Sequence, residues 1–434
     1  MRSRIIIAII ILFLSGCKRE HTNTNTSETS TPNTHAVQQT DMPHLNEDEH
    51  PTYTNTVVGL LPRSEGGSFF VSFDTDTWEP TTIKEMPNVT PDNYAAISSD
   101  SKYIAYTTWI DDYTFRYLVV ENTLTGEVKA FYQDMSVRNE IIKISFMPDD
   151  GTLLLIKRDA SIQSYEEIHS LNIETGEDRT LVKGEVWQAR TFVEKEVAAE
   201  PFYLKGSETY LEIQMMQEFS DEGDWGYYLM QDDIDEICTQ YGGQSGVDMD
   251  NVFFIYVEFS APRCSADGTK ILYSATLCRN SAPQGTPLWL ASAVWLYDMS
   301  SGESAIIFAT DDNAGIGRAD WTADDNNSIC FVTYYDNNGG RDSINYYDLS
   351  KEEHTVIFPY TDEHFNNVTL LPVGNNKLTF TSSSILAAFE ESDTILYDIS
   401  NGSHGVLNVT YDGDIVLLRN FIYVRYILLP PRLL

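Results

Sequence analysis

The densest chemistry in this chain is a set of carboxylates among aromatic rings. Between about residues 217 and 250 stand Asp221, Glu222, Asp224, Trp225, Tyr227, Tyr228, Asp232, Asp233 and Asp235, followed by Gly242-Gly243-Gln244-Ser245-Gly246. Negative oxygens beside ring faces suit a cationic ligand or a basic peptide, through charge and through the ring quadrupole. Calcium is the metal such a set would take, since it accepts roughly six to eight oxygens. The spacing follows no known calcium loop closely, and no cofactor is expected. The plainer alternative makes Trp225, Tyr227 and Tyr228 strand residues of a divergent sheet with solvated acids around them. A smaller insertion, Arg279 to Leu290 with Pro283, Gly285, Pro287 and Trp289, is expected on the same face.

Covalent and metal catalysis leave no linear signature. Gly243-Gln244-Ser245-Gly246 is one residue short of a G-x-S-x-G elbow, and the H-E-x-x-H and P-loop patterns do not occur. His354 follows Glu352-Glu353 and His364 follows Asp362-Glu363, the adjacency of a carboxylate–imidazole metal site. With 65 Asp and Glu in 434 residues, chance supplies such neighbours. His21, His35, His44 and His50 are irregularly spaced in a polar stretch, unlike a zinc set. No catalytic or metal-ligating residue is assigned. The formal net charge of −37 argues against nucleic acid, whose phosphates need clustered Lys and Arg. It also repels anionic headgroups and keeps an exported protein soluble.

The N-terminus carries a separate chemistry. Arg2 and Arg4 precede the apolar run from Ile5 to Leu14, which ends in Leu14-Ser15-Gly16-Cys17. A basic start, a short apolar core and small residues mark an export signal. The run of about ten residues is half of the roughly twenty that span a bilayer. The Leu-Ser-Gly-Cys ending resembles the lipobox of bacterial lipoproteins. That resemblance implies cleavage between Gly16 and Cys17 and a diacylglyceryl group on the Cys17 thiol. The expected organisation is a signal peptide over 1–16, then lipidated Cys17 and a disordered Thr/Asn/Ser-rich linker over 17–50, then a folded domain over 51–434. The protein would be held by its lipid at the extracytoplasmic face of the cell membrane or at the outer membrane. As a random coil the linker reaches roughly 30 Å.

Four further cysteines, Cys238, Cys264, Cys278 and Cys330, remain after Cys17. Cys264 and Cys278 flank a hairpin turn at Ala266-Asp267-Gly268-Thr269, which sets Cys264 opposite a residue near Leu272. Cys278 then falls roughly 20 Å further along the strand at ~3.3 Å per residue, beyond the ~7 Å Cα limit of a disulfide. The four are read as buried or free thiols, with room for one long-range bridge.

From about residue 55, short runs of Val, Ile, Phe and Tyr alternate with Asp, Asn, Gly and Ser turns, and no long segment shows helical periodicity. One unit recurs. Trp295-Leu296-Tyr297-Asp298-Met299-Ser300-Ser301-Gly302-Glu303 matches Ile395-Leu396-Tyr397-Asp398-Ile399-Ser400-Asn401-Gly402, His169-Ser170-Leu171-Asn172-Ile173-Glu174-Thr175-Gly176-Glu177 and Val119-Val120-Glu121-Asn122-Thr123-Leu124-Thr125-Gly126-Glu127. Degenerate copies begin at Asn345 and Val71. A second signature precedes most copies, as in Ser98-Ser99-Asp100-Ser101-Lys102 and Ser265-Ala266-Asp267-Gly268-Thr269-Lys270. Asp, Asn and Gly tolerate the positive φ that tight hairpins demand. Together these resemble the TolB-type β-propeller repeat, a relative of the WD repeat, over about residues 57–427. The resemblance implies an all-β propeller of four-stranded blades closed into a ring. The turns near 77, 126, 176, 302, 351 and 402 leave one long step, read as a hidden repeat with an insertion. Seven blades are expected, with six or eight as alternatives. The last is shared between N-terminal strands at about 57–83 and the C-terminal part.

The function expected from these features is a lipid-anchored binding or scaffold protein of the cell envelope, facing a protein or a cationic ligand. The alternative is a propeller enzyme acting on an envelope or host polysaccharide, whose catalytic groups are gathered from several blades.

Overall fold

A strand whose side chains alternate between two apolar faces needs a packed neighbour on each side, and this chain repeats that requirement six times. The computed structural model describes residues 53–428 except 88, 90–94, 101, 111–114, 132–139, 160–164, 190–198, 203–230, 244–253, 261, 281–287, 311–313, 323–326, 336–342, 359–365, 375, 384–392, 417 and 419–420. The expected export signal, Cys17 and the expected linker lie outside the described residues.

Each blade is an antiparallel sheet, and in all but blade 1 its core strands follow one another across the sheet in chain order. Blade 2 is Ala95–Ile97, Tyr103–Ile110, Phe115–Asn122 and Val128–Phe131. Blade 3 is Glu140–Phe146, Thr152–Asp159, Tyr165–Asn172 and Asp178–Lys183. Blade 4 starts on the broken strand Phe254–Phe259 and Arg263–Cys264, then takes Lys270–Asn280, Leu288–Asp298 and Ser304–Ala309. Blade 5 is Ala314–Trp321, Ser328–Tyr335, Ser343–Asp348 and Glu353–Phe358, and blade 6 is Asn366–Pro372, Lys377–Ser383, Asp393–Asp398 and His404–Val406. Blade 1 is shared: Tyr53–Pro62, Ser68–Asp74 and Pro80–Met86 take their inner strand, Ile422–Leu428, from the other end of the chain. A small hairpin, Thr410–Tyr411 with Asp414–Ile415, precedes that closing strand.

The ring has six blades, not the expected seven. The long step between the turns at 176 and 302 holds no separate four-stranded sheet among its described residues. Instead Val186–Ala189 pairs with Phe254–Phe259, and Ala199–Phe202 pairs with Val186–Ala189, so the insertion widens the inner side of blade 4. It also carries the helix Gln231–Gln240, where no helix was expected.

The turn signature has one physical basis in all six blades. Asp74, Asn122, Asn172, Asp298, Asp348 and Asp398 each open the turn before the outermost strand. Their Oδ1 atoms accept backbone N–H groups two residues on, and in the first five also three residues on, at 2.8–3.2 Å. The residue four places on has positive φ. It is Gly126, Gly176, Gly302 or Gly402 in four blades, but Trp78 (59°) and Glu352 (54°) in the degenerate copies.

Six apolar clusters fill the six interfaces between neighbouring blades. Leu153 and Leu155 face blade 2 while Leu154 and Ile156 face blade 4. In blade 5, Ile329 and Phe331 turn toward blade 4, and Cys330 and Val332 toward blade 6. Val57 and Val58 divide in the same way between blades 6 and 2. Each fully buried side chain of this size contributes about 1.5–3 kcal/mol of transfer free energy.

No disulfide joins the four described cysteines, so the long-range bridge does not form among them. Cys264 pairs with Ile271 and Cys278 lies well along the same strand, opposite Tyr256 and Trp289. Burial pushes the Cys264 thiol up to about 12 and raises those of Cys278 and Cys330, which keeps them unreactive. Among the described residues no helix is long and apolar enough to cross a membrane.

On the outer part of blade 3, His169 Nδ1 meets Asp178 Oδ1 at 2.8 Å and Nε2 meets Glu167 Oε2 at 2.9 Å. Burial opposes a charged ring here, but the two carboxylates outweigh it and raise the His169 pKa.

Two measurements follow. An L residue in the left-handed region costs about 1–2 kcal/mol, and glycine returns roughly 0.4–1 kcal/mol of that through the unfolded chain. Glu352→Gly is therefore expected to raise the urea-unfolding free energy by about 0.5–1 kcal/mol, and Gly302→Ala to lower it by a similar amount. For His169, the folded state holds its proton more tightly than the unfolded one. That stabilisation is complete below the unfolded pKa of about 6.5 and is lost as pH rises through the folded value, with a slope of at most about 1.4 kcal/mol per pH unit. Relative to His169→Gln, the wild type should lose stability over that window; parallel pH profiles would remove the assignment.

Candidate functional site

The innermost strand of each blade borders the central channel of a propeller. On the first strands of blades 3 and 5 and on the broken strand of blade 4, a cation stands at or beside a break in the ladder. The strand Glu140–Phe146 carries a bulge between Ile141 and Lys143. In Ala314–Trp321 the register shifts between Ile316 and Ala319, which frees Gly317 and Arg318 from pairing. The inner strand of blade 4 stops at Phe259 and resumes at Arg263. Bulges re-aim side chains that a regular strand would send to alternate faces.

These breaks are fixed by packing and hydrogen bonds. Ser274 Oγ donates to Gly317 O at 2.8 Å, and a Cβ on Gly317 would overlap Tyr334. Trp321 Nε1 donates to Arg263 O at 3.0 Å, and Ser145 Oγ donates to Pro262 O at 3.0 Å. Asp320 Oδ2 accepts from Arg318 Nη2 at 2.6 Å, Arg318 Nε at 3.0 Å and Arg263 Nε at 3.3 Å. Arg318 Nη1 then reaches the carbonyl of Phe421, just before the closing strand, at 3.2 Å. One guanidinium thus ties blade 5 to the start of the inner strand of blade 1.

Charge is concentrated here. The Arg263 and Arg318 side chains are only 14% and 18% exposed, and Lys143 is half-buried. Burial, followed by repulsion from Arg263 and Arg318, lowers the Lys143 ammonium. Burial, followed by repulsion from Arg318, takes Arg263 down to about 10. Glu166 and Arg158 also act on Lys143. That pair lies between blades 3 and 4, where Glu166 Oε1 accepts from Arg158 Nε at 2.9 Å and Nη2 at 2.5 Å, while Oε2 accepts from Phe259 N at 2.7 Å. Glu258 and Glu140 are further charged neighbours of Arg158.

The insertion supplies a second set. The helix Gln231–Gln240 buries Ile234, Ile237 and Cys238 in the cluster that holds Leu277, Leu290 and Ala291, and Tyr241, just past its end, packs against the same cluster. Asp232 and Asp233 occupy its first turn, where negative charge complements the helix dipole. Gly242, at φ 81°, ends it. Gly242 and Gly243 lie against Ala309 and Ala291 so closely that a Cβ on either would come within 2.6–2.7 Å of a methyl. Tyr241 meets Trp295 edge-on at 5.7 Å, Trp295 stacks on Tyr273 at 6.3 Å, and Tyr273 meets Phe259 edge-on at 5.6 Å. An aromatic column therefore runs from the insertion to the backbone that Glu166 holds.

Of the acidic set read in the sequence, Asp232, Asp233 and Asp235 share this helix, with Asp232 exposed and the other two half-buried. Asp221, Glu222, Asp224, Trp225, Tyr227 and Tyr228 lie outside the described residues, and with them most of the oxygens a calcium site would draw on. Among the described residues no three His, Cys, Asp or Glu side chains are grouped to hold a metal. His354 meets Asn345 Oδ1 at 2.9 Å through Nε2, packs on Phe308 at 4.6 Å between ring centroids, and is lowered in pKa by burial. His364 lies outside the described residues. Phe254 pairs with Asn280, and most of the smaller insertion, 281–287, lies outside the described residues.

The sequence reading missed Lys143, Arg263, Arg318 and Asp320. Their signal was a cation inside an apolar inner-strand run, as in Ile141-Ile142-Lys143-Ile144, in a chain with few cations. The helix signal was Ile234, Ile237, Cys238 and Tyr241 at i, i+3, i+4 and i+7, ending in Gly242.

No protein-family model matches the chain, and no curated protein matches it in sequence. Among solved structures, TolB from Acinetobacter baumannii is similar at 13% identity and TM-score 0.48, over 85% of this chain and 66% of that one, just under two-thirds of its length. An oligogalacturonate lyase in complex with manganese is similar at 11% identity and TM-score 0.45, over 81% of this chain and 75% of that one. An oligogalacturonate lyase from Vibrio parahaemolyticus matches at 11% identity and TM-score 0.42, over 82% and 75%. The propeller stands on its own strand pairing. The TolB-type repeats read in the sequence are its blades.

Gly243 has ordinary φ, so a methyl there tests packing alone. Gly243→Ala is expected to destabilise the helix seat by about 1–3 kcal/mol through overpacking, read as earlier proteolytic cutting within 203–253 while the near-ultraviolet signal of the ring persists. Unchanged cutting would show that the seat yields without cost.

Proposed function

We propose that this protein is a lipid-anchored propeller of the cell envelope that acts as a binding or scaffold protein, engaging a basic protein segment or cationic ligand through the insertion of blade 4. The observation that carries this reading is the insertion helix. One side is built into the core by Ile234, Ile237 and Cys238, while the first turn presents Asp232 and Asp233 with Asp235 close behind. A functional loop fixed on a rigid scaffold presents its groups without the entropy cost of ordering them on binding. Cys17, lipidated after cleavage at Gly16, would supply the membrane attachment. Calcium bound by the insertion acids would be an accessory to that face.

The anchor is tested by detergent-phase partitioning of cell extracts. The wild-type chain should enter the detergent phase and Cys17→Ser should not; equal partitioning removes the anchor. The binding face is tested with the full chain and the variant Asp232→Asn/Asp233→Asn/Asp235→Asn, titrated with an oligolysine peptide at low and high salt. Binding at least tenfold weaker in the variant, and weaker in salt, is expected; equal affinity overturns the reading.

A second reading, turnover of an envelope or host polysaccharide, draws support from the charged side chains Lys143, Arg263, Arg318 and Asp320 carried by strands of blades 3, 4 and 5. Release of new reducing or unsaturated ends from purified wall polysaccharide would favour it over binding alone.

A further inference from the structure

We propose that His169 is a pH-sensitive clasp: its protonated ring holds the outer strand of blade 3, Asp178–Lys183, and with it the root of the insertion, and both loosen as the ring gives up its proton. The two ring contacts set the protonation state. Nδ1 meets Asp178 Oδ1 at 2.8 Å, and Nε2 meets Glu167 Oε2 at 2.9 Å. An ionised carboxylate only accepts, and a neutral imidazole has a single N–H to give. Burial opposes charge on Glu167, but bonds from His169 and Tyr165 outweigh it and lower its pKa, so this carboxylate is an acceptor. A ring that satisfies both contacts therefore carries two protons. Losing either one sets a nitrogen lone pair against a carboxylate oxygen. The His169 side chain is 9% exposed, so water is poorly placed to replace the lost bond.

The charged neighbours come from each adjoining strand. Lys157, on Thr152–Asp159, pairs with Asp178 and repels a charged ring. Lys183, at the end of the outer strand, reaches Glu167 Oε1 at 3.6 Å, but its side chain is 57% exposed and its field is screened. Arg179 on the same strand is exposed. From blade 2, Lys129 donates to the carbonyls of Ile173 and Glu174 at 2.7 and 2.8 Å. The outer strand has little else to hold it. None of its six residues is buried, and its ladder shifts register between Ile168 and His169, at the clasp itself. Its far end leads straight into the insertion. Gly184 N donates to Glu166 O at 2.8 Å, a Cβ on Gly184 would lie 2.6 Å from that oxygen, and Val186–Ala189 then pairs on blade 4. Glu166, Glu167 and His169 thus share one strand, Tyr165–Asn172, which receives both the outer strand and the insertion's root. The clasp does not depend on what the insertion binds.

The test is amide hydrogen exchange of the full chain from about pH 6 to about pH 9.5, corrected for the intrinsic rate, with Thr152–Asp159 as the internal reference. Protection of 178–189 should be full below about 6.5, fall by at most about tenfold per pH unit as pH rises through the folded value of His169, and level off above it. The reference strand should stay level over the same range. In His169→Gln the profile of 178–189 should be flat, and in Glu167→Gln, which keeps the ring but removes one carboxylate, the fall should end at lower pH. A level wild-type profile overturns the proposal, as does a fall shared by His169→Gln or an unmoved end in Glu167→Gln. Should the variants fail to fold, nitrogen-15 shifts of the wild-type ring assigned to His169 decide. Two ring protons kept above about pH 6.5 support the clasp, and titration at or below that value overturns it.

Discussion

Everything in this molecule depends on the strand Ile422–Leu428 pairing with Tyr53–Pro62. Six blades packed face to face leave the first and last with bare apolar faces until the ring closes. The cluster that joins blades 6 and 1 holds Val57, Val71 and Phe73 from one end of the chain, and Leu371, Val409, Val416 and Phe421 from the other. Phe421 lies against Gly59 so tightly that a Cβ there would overlap its ring, and it contacts Phe73 at 5.6 Å. Its carbonyl accepts from Arg318. Backbone pairing, apolar packing and one buried guanidinium therefore meet at a single junction. Closure also removes the sheet edges that an open array of strands would offer to other chains.

With the ring closed, blade 4 can carry an insertion without losing its place. Its middle strands, Lys270–Asn280 and Leu288–Asp298, are longer than those of the other blades. The extra length creates an apolar surface that a four-stranded blade does not need. The insertion helix covers part of it, and the added strands Val186–Ala189 and Ala199–Phe202 pair along the inner side. The insertion is thus part of the fold's packing. An acidic segment is carried on a base of Ile234, Ile237, Tyr241 and the two glycines, and its orientation is set by Ala291, Ala309 and Trp295.

What was legible in the sequence was local. Asp298 and its counterparts accept hydrogen bonds within three residues, so the turns show in a string of letters, and period-two alternation shows the strands between them. Blade number was less legible because it depends on which strands pair. The insertion has enough residues for a repeat, but Val186–Ala189 pairs with Phe254–Phe259 and adds to a sheet already counted. The helix was hidden by its surroundings, since four apolar residues at helical spacing sat among acids read as a loop. Lys143, Arg263 and Arg318 were illegible for a different reason. They are far apart in the chain, and only ring closure brings three inner strands to one axis.

The placement of the arginines on the inner strands follows from the same geometry. Acids on the blade turns stay in water, where they repel one another weakly and cost little. The inner strands give less such freedom: the Arg263 and Arg318 side chains are only 14% and 18% exposed. Asp320 stands between two guanidinium groups, accepting from both Arg263 and Arg318. Removing Arg318 would give up the bond to the Phe421 carbonyl, and removing Arg263 would give up one of its two links between blades 4 and 5, leaving the bond from Trp321 to its carbonyl. The two arginines are therefore explained by the packing of the ring: they share Asp320 where two inner strands break, and Arg318 carries that link on to the closing junction at Phe421.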